Sequence, residues 1–202
     1  MSKLTDKLKA LGACSAGIEW VQDRTPQQMW EECERGDWLL WLAVKLNVDR
    51  KLIVLAACKC ARESLQYVAD AEDRPRRAIE TAETWCRGDA NLEEVRRAAN
   101  AADAAYADAD ADADAYAAFA AAFAAYAADA AFAADAPFAA TYAAATAAAA
   151  AVAAANAAYA TAAYATADAA ARLQSLRQSA SYVRDIIPFE IIEQRTNLEF
   201  KP

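Results

Sequence analysis

Residues 72–88, EDRPRRAIETAETWCRG, contain the signals of one complete amphipathic helix. Asp73 or its neighbour is placed to cap the first free N–H groups of the helix. Pro75 is tolerated in the first turn, because an N–H group at that position would have no carbonyl partner within the helix. Gly88 stands where a left-handed residue commonly ends a helix. Apolar residues between these ends recur every three or four positions, which predicts one buried face. They are Ala78, Ile79, Ala82 and Trp85.

Similar start signals occur on both sides of this helix. Thr25, followed by proline and then by Gln28, has the form of a capping box, and its helix is predicted to run to about Cys33. The first residues, MSKLTDKLKALGA, have the pattern of an amphipathic helix. Each of the other predicted helix starts combines a capping residue with an apolar stripe. The predicted starts are Gly36–Asp37 as a break and cap, Asp49 for a helix to about Val68, and Asn91.

Alanine dominates the chain from Ala98 onward, and alanine has the highest helix propensity of all residues. Its few aromatic residues are spaced three or four positions apart, which predicts that they lie on one face of a helix. We expect the alanines to let the helices approach closely, with the aromatic rings packed between them. A new helix is predicted at Asp135–Pro137, and a last one from about Asn156 through Arg184, stopped by Pro188. The aromatic stripe is Tyr116, Phe119, Phe123 and Tyr126.

The predicted fold class is all-α, a single-domain antiparallel helical bundle with a closely packed alanine-rich C-terminal half. The domain is predicted to span residues 1–187, with conventional helices over 1–97 and alanine-rich helices over 98–187. Residues 188–202, PFEIIEQRTNLEFKP, are predicted to be a tail: a short strand, an irregular strap or a partner-binding extension.

The composition disfavours catalysis. The chain has no histidine, which removes the commonest general base, the Ser-His and Cys-His nucleophile pairs and histidine-containing zinc sites. Only 4 Gly are present, and no phosphate-binding glycine loop occurs. Chemistry on carboxylates or lysine remains open, but we expect a protein that is not an enzyme and needs no cofactor or metal.

Five cysteines form no C-x-x-C pair. Cys58 and Cys60 lie two positions apart, about 200° around a helix, so their thiols should point in different directions. Buried structural thiols are favoured over a metal or redox role. The odd number of cysteines and an N-terminus without a secretory pattern predict a reducing, cytoplasmic location.

Residues 136–167 carry no charge, yet a membrane span is not expected there. Alanine is nearly neutral for insertion, and the interspersed polar residues oppose it. They are Thr141, Thr146, Asn156, Tyr159, Thr161 and Tyr164.

The net charge of −8 comes from 29 acidic and 21 basic residues. Residues 98–171 contain eight aspartates and no Lys, Arg or Glu, so the remaining chain is balanced. Direct binding to nucleic acid is therefore not expected, because that needs a basic surface. A protein partner with a basic surface would instead be attracted, mainly through a faster association rate.

The densest acidic feature alternates aspartate with alanine and has two interpretations. It starts like a calcium loop, but Ala113 replaces the glycine and Phe119 the bidentate glutamate, which disfavours calcium. Aspartates four apart would repel in a helix, so a loop is expected. The alternatives are a solvated acidic turn and a contact surface for a basic partner. The candidate residues are Asp108, Asp110, Asp112 and Asp114.

Two other sets are candidates for partner binding. Trp38 and Trp41 have the spacing of core residues, and the functional alternative is an exposed interface anchor. A mixed-charge cluster at 72–77 favours local ion pairing and capping. Acid–base chemistry by Glu80 and Glu83 is less favoured, because no nucleophile or metal-ligand set accompanies them. The candidates in the cluster are Glu72, Asp73, Arg74 and Arg76.

Four segments together resemble the immunity proteins that accompany bacterial polymorphic toxins, with related chains in phage genomes. The segments are GDWLLWLA at 36–43, VLAACKCAR at 54–62, EDRPRRAIETAETW at 72–85, and RLQSLRQ at 172–178. The resemblance covers roughly residues 14–187 and is most specific over 36–88. It implies a cytosolic helical protein that binds and neutralises a toxin, and it supplies no catalytic residues.

The leading hypothesis from the sequence is thus a toxin-neutralising immunity protein that acts by occlusion. One alternative is an acidic inhibitor or decoy, carried by a phage or mobile element, of a host defence protein. Another is a small-molecule sponge with a pocket between aromatic-bearing helices. Self-association through the alanine surface is also possible.

Overall fold

The computed structural model describes residues 3–108 and 165–199. Every regular element in these two ranges is helical, which confirms the predicted all-α class. The helices are α1 (Lys3–Ala10), α2 (Ser15–Val21), α3 (Pro26–Glu32), α4 (Gly36–Lys45), α5 (Arg50–Arg62), α6 (Arg74–Arg87), α7 (Leu92–Asp108), α8 (Ala165–Ile186) and α9 (Phe189–Glu199), with a 3₁₀ helix over Glu63–Tyr67. None of the helices in the described ranges is long and apolar enough to cross a membrane.

The helix starts follow local side-chain chemistry, as the sequence indicates. Thr25 Oγ1 accepts from the backbone N–H of Gln28 at 3.2 Å, and the glutamine amide oxygen accepts from Thr25 N at 3.0 Å. Asn91 and Glu94 form the same reciprocal pair at 3.0 and 2.7 Å. Asp49 accepts from the N–H two residues on, at 2.8 Å. These three predicted caps are confirmed.

Helix α6 runs from Arg74 to Arg87, and Gly88, with φ 93°, caps its C-terminal end. Asp73 precedes it without a capping bond from its side chain, and the neighbouring Glu72 carboxylate accepts from Arg74 N at 2.9 Å instead. The predicted stripe is buried at Ala78, Ile79 and Ala82.

Two predicted boundaries differ in the structure. Gly36 and Asp37 do not break and cap the chain ahead of α4; they are its first two residues, and Arg35 precedes them. The helix predicted to continue to Val68 is α-helical only to Arg62 and then tightens into the 3₁₀ turn. Such tightening is common at helix ends because i→i+3 bonds satisfy the last carbonyls.

One hydrophobic core joins helices from the two described ranges. Helix α8 packs against α4 and α5, α6 packs against α5 and α7, and α9 packs against α3. Fully buried alanines are common at these contacts and permit close approach of the backbones. They include Ala43, Ala56, Ala57, Ala61, Ala78, Ala82, Ala99, Ala102 and Ala180.

The predicted strand or strap at the C-terminus is wrong, because residues 189–199 form helix α9. Pro188 ends α8 and at once starts α9, and its carbonyl accepts from Ile191 N at 3.1 Å. Ile192 is fully buried in the common core. The tail is therefore a packed helix in the structure.

Several predictions lie outside the described residues. They are the aromatic stripe at 116–126, the start at Asp135–Pro137, and residues 156–164 of the last predicted helix. The described part of that helix ends at Ile186, two residues beyond the predicted Arg184.

Candidate functional site

The charge cluster at the start of α6 is organised by ion pairs. The Arg74 guanidinium binds both carboxylate oxygens of Glu72 at 2.5–3.0 Å. These hydrogen bonds lower the pKa of the Glu72 carboxyl. Asp73 lies 3.9 Å from Arg77, and both are exposed, as is Arg76. The predicted ion pairing is confirmed, while the role of this cluster in partner binding stays a prediction.

Glu83, one of the two carboxylates considered for acid–base chemistry, is bound by an arginine. Arg62 donates through Nε and Nη2 to its two oxygens at 2.8 and 2.6 Å. This bidentate bond raises the pKa of Arg62 and joins α5 to α6. Glu80 is exposed on the same helix. The geometry of Glu83 therefore serves helix packing.

Only one residue of the acidic run falls within the described ranges. Asp108 lies in helix α7, so the loop predicted for the run is wrong at this residue. Asp110, Asp112 and Asp114 lie outside the described residues, so the predicted loop at these positions stays a prediction.

Trp38 and Trp41 are half-buried on α4 and pack against the core. The Trp38 ring meets Trp20 of α2 edge to face, with centroids 6.4 Å apart and an interplanar angle of 67°. The Arg24 guanidinium lies 4.2 Å from the Trp20 ring centroid, and that of Arg35 lies 4.7 Å from Trp38. Each of these contacts is a favourable cation–π attraction between a guanidinium and the face of an indole ring.

These tryptophans line a cavity of about 240 Å³ among α1, α2, α3 and α4, here called the tryptophan cavity. Buried apolar side chains form much of its wall, and the exposed Cys14 also lines it. Sequence reasoning missed this site because Trp20 gave no sign that it would meet Trp38. Its principal lining residues are Leu8, Trp20, Met29, Trp38, Trp41 and Leu42.

One carboxylate, that of Asp37, borders the tryptophan cavity. Asp37 is only 7% exposed. Arg35 donates through Nε to Oδ1 at 2.8 Å and through Nη2 to Oδ2 at 2.6 Å. The hydrogen bond to Asp37 raises the pKa of Arg35 despite partial burial. Both carboxylate oxygens thus have a charged donor, so the pair is neutral as a unit.

A second, wider groove of about 690 Å³ lies between α6 and α7. Its walls carry both signs of charge, and the hydroxyls of Thr81 and Thr84 donate to backbone carbonyls of their own helix. Because acidic and basic side chains are mixed along the groove, it favours neither an anionic nor a cationic ligand. Its charged residues are Arg74, Arg77, Glu80, Asp89, Glu94 and Arg97.

All five cysteines are free thiols, and four are buried. Cys58 Sγ donates to Ile79 O at 3.9 Å and Cys60 Sγ to Ser179 O at 3.8 Å, so they contact α6 and α8 respectively. Burial raises the pKa of Cys60 to about 12. The prediction of divergent, buried thiols is confirmed for Cys58 and Cys60, whereas Cys14 is exposed. Within the described ranges no group of three or more His, Cys, Asp or Glu side chains is arranged to hold a metal ion.

Comparison of the chain with protein-family models, with curated proteins and with solved structures finds no match. The resemblance to immunity proteins therefore stays a prediction from the quoted segments.

Proposed function

We propose that this chain is a non-catalytic immunity protein that binds a cognate toxin with a basic surface and neutralises it by occlusion. One observation carries the proposal: residues 98–171 contain the whole excess of negative charge, eight aspartates without a single Lys, Arg or Glu. The rest of the chain has no net charge by the same count. A basic partner would therefore be drawn to one segment of the chain.

The described helices on either side of this segment support a binding role. Helix α7 enters the acidic segment and buries Val95, Ala99 and Ala102 in the core. Helix α8 leaves it and buries Ala180 and Val183 in the same core. The described helices on both sides of the acidic segment are therefore part of the common core.

A nucleic-acid-cleaving toxin is the type of basic partner that fits this charge distribution best. Such an enzyme neutralises phosphates with Lys and Arg, so its active surface is positive. An acidic segment that covers this surface would compete with the substrate. Complementary charge would also increase the association rate, by roughly 10-fold to 1,000-fold at low ionic strength.

Affinity capture of the tagged full-length chain from its native host, followed by mass spectrometry, tests the proposal. The acidic variant replaces Asp108, Asp110, Asp112 and Asp114 with Asn, which keeps size and removes four charges. A matched control neutralises four exposed acids outside the segment: Glu19→Gln, Asp23→Asn, Asp70→Asn and Asp89→Asn. We expect the wild type and the control to retain a basic toxin in stoichiometric amount.

The acidic variant should associate at least about tenfold more slowly with that toxin at low salt, and the difference should shrink at high salt because ions screen exposed charges. Far-UV circular dichroism checks that each variant remains helical. Equal association by the acidic variant and the wild type would overturn the role of the run. Capture of a host defence protein would favour the decoy alternative, and capture of no protein would contradict a macromolecular partner.

A further inference from the structure

The tryptophan cavity lies at the edge of the core, and its lining residues all belong to the first four helices and the loops between them. Leu8, Val21 and Met29 line it and are buried, whereas Cys14 lines it and is exposed. The cavity therefore extends from the packed interior to the surface. A small molecule could enter there without disturbing the packing of α5 to α8.

The volume of the cavity sets the size of its ligand. An apolar protein cavity of roughly 150 Å³ accepts benzene. The tryptophan cavity measures about 240 Å³. It therefore has room for a ring system larger than benzene, of the size of two fused rings.

The side chains around the cavity set the charge of its ligand. Asp37 accepts from Arg35 through both carboxylate oxygens, so the guanidinium balances its negative charge. A second guanidinium, that of Arg24, is paired with Glu32 at 3.1 Å and also donates to the Trp20 carbonyl. The Cys33 thiol stays protonated because burial raises its pKa to about 11. A charged ligand would lose its hydration without compensation, which disfavours it.

Each tryptophan of the cavity contacts another aromatic ring or a basic side chain. Trp20 and Trp38 contact each other edge to face, and each has a guanidinium close to its ring. Lys45 Nζ lies 6.0 Å from the Trp41 ring centroid. Tryptophan rings attract other aromatic rings through stacked or edge-to-face contacts.

We propose that the tryptophan cavity is a binding site for a neutral, planar aromatic molecule of about two fused rings. The three tryptophans supply the contact surface, and the pairing of Asp37 with Arg35 keeps the wall free of unbalanced charge. None of the residues that line this site belongs to the proposed toxin-binding segment, and the assignment does not rest on the toxin-binding proposal.

Indole is a suitable probe, since it is neutral, bicyclic and planar. Binding to the full-length protein is measured by calorimetry and by ligand-observed NMR, with indole-5-carboxylate as the charged counterpart. The rate at which iodoacetamide alkylates Cys14 is a second readout, because that side chain lines the cavity. We expect indole to bind, the carboxylate to bind at least about tenfold more weakly, and saturating indole to slow alkylation.

Gly17→Leu is the blocking variant. Gly17 lines the cavity, and a Cβ there would meet only Cys14 Sγ, at an ordinary 3.5 Å, so larger side chains can extend into the space. Ala16→Leu is the matched control, since this exposed residue of the same helix does not line the cavity. Indole affinity should fall at least tenfold in Gly17→Leu and stay unchanged in Ala16→Leu.

Three outcomes would overturn the assignment. They are no binding of indole by the wild-type protein, equal affinity in Gly17→Leu and the wild type, and unchanged Cys14 alkylation at saturating indole. The alkylation experiment needs no variant, so it remains decisive even if Gly17→Leu folds poorly. Loss of a captured protein partner in Gly17→Leu, without indole binding by the wild type, would assign the cavity to a partner's side chain instead.

Discussion

Gly36 illustrates how one residue determines the distance between two helices. A Cβ at this position would lie 2.6 Å from Ser179 Cβ, 2.7 Å from Ser179 C and 2.8 Å from Ala180 N. Two of these atoms belong to the backbone of α8, so no side-chain rotation can relieve the clash. The small residue is therefore required by the contact between α4 and α8, whereas the sequence suggested only a helix break.

Gly36→Ala is expected to lower the free energy of unfolding by about 1–3 kcal/mol, because overpacking moves backbone. Gly17→Ala is the control: it adds a methyl group where space exists, and alanine stabilises a helix by roughly 0.5–1 kcal/mol relative to glycine. Urea unfolding followed by circular dichroism measures both. A Gly36→Ala protein as stable as the wild type would contradict the close approach.

The buried thiol of Cys60 should make the free energy of unfolding depend on pH in the alkaline range. Burial raises the pKa of its thiol from 9.0 to about 12, so the folded protein keeps a proton that the unfolded chain releases. The protonated thiol therefore makes its full contribution to the free energy of unfolding below pH 9, and this contribution is lost as the pH rises from 9 towards 12. Unfolding measured by urea across pH 8–10.5 should show this decline.

Cys60→Ala should make that pH dependence shallower, whatever its own effect on stability at pH 7. Cys14→Ala is the control, since it removes an exposed thiol instead of a buried one. Cys33 and Cys86, with pKa values each raised by burial to about 11, contribute in the same direction. Identical slopes in wild type and Cys60→Ala would contradict the role assigned to this thiol.

At the scale of elements, the short helices at the edge of the molecule depend on contacts from distant parts of the chain. Arg184 of α8 donates to Cys33 O at 2.7 Å and to Trp30 O at 3.4 Å, so it satisfies carbonyls at the end of α3. Helix α9 packs against that same α3. A helix of two turns is unstable alone, and these contacts from α8 and α9 compensate.

Ile192→Ala tests whether α9 belongs to the core. Ile192 is fully buried, so the substitution should lower the free energy of unfolding by about 2–5 kcal/mol through lost burial and a residual cavity. Glu193→Ala, an exposed change on the same helix, should have little effect. Both are compared by urea unfolding. Equal stability of the two variants would mean that α9 is a dispensable tail.

In the molecule as a whole, the excess negative charge lies in one part of the chain, residues 98–171, whereas the charges of the rest are balanced. Residues outside 98–171 balance their 21 acidic and 21 basic side chains, and several form ion pairs such as Arg62–Glu83. The salt-dependent association with a basic partner depends on the net charge of −8 and on its concentration in residues 98–171. Stability, in contrast, should depend mainly on the shared apolar core.

The helical class and most helix starts could be predicted from the sequence alone, because they follow from contacts within a few residues. The capping pairs at Thr25 and Asn91, the left-handed Gly88 and the spacing of Ala78, Ile79 and Ala82 are all local. Charge segregation is likewise a property of composition. Only the tertiary structure brought Trp20 to Trp38, placed Gly36 against Ser179, and buried Ile192 of the supposed tail. Those contacts join residues far apart in the chain, and they depend on how helices pack, which local spacing does not specify.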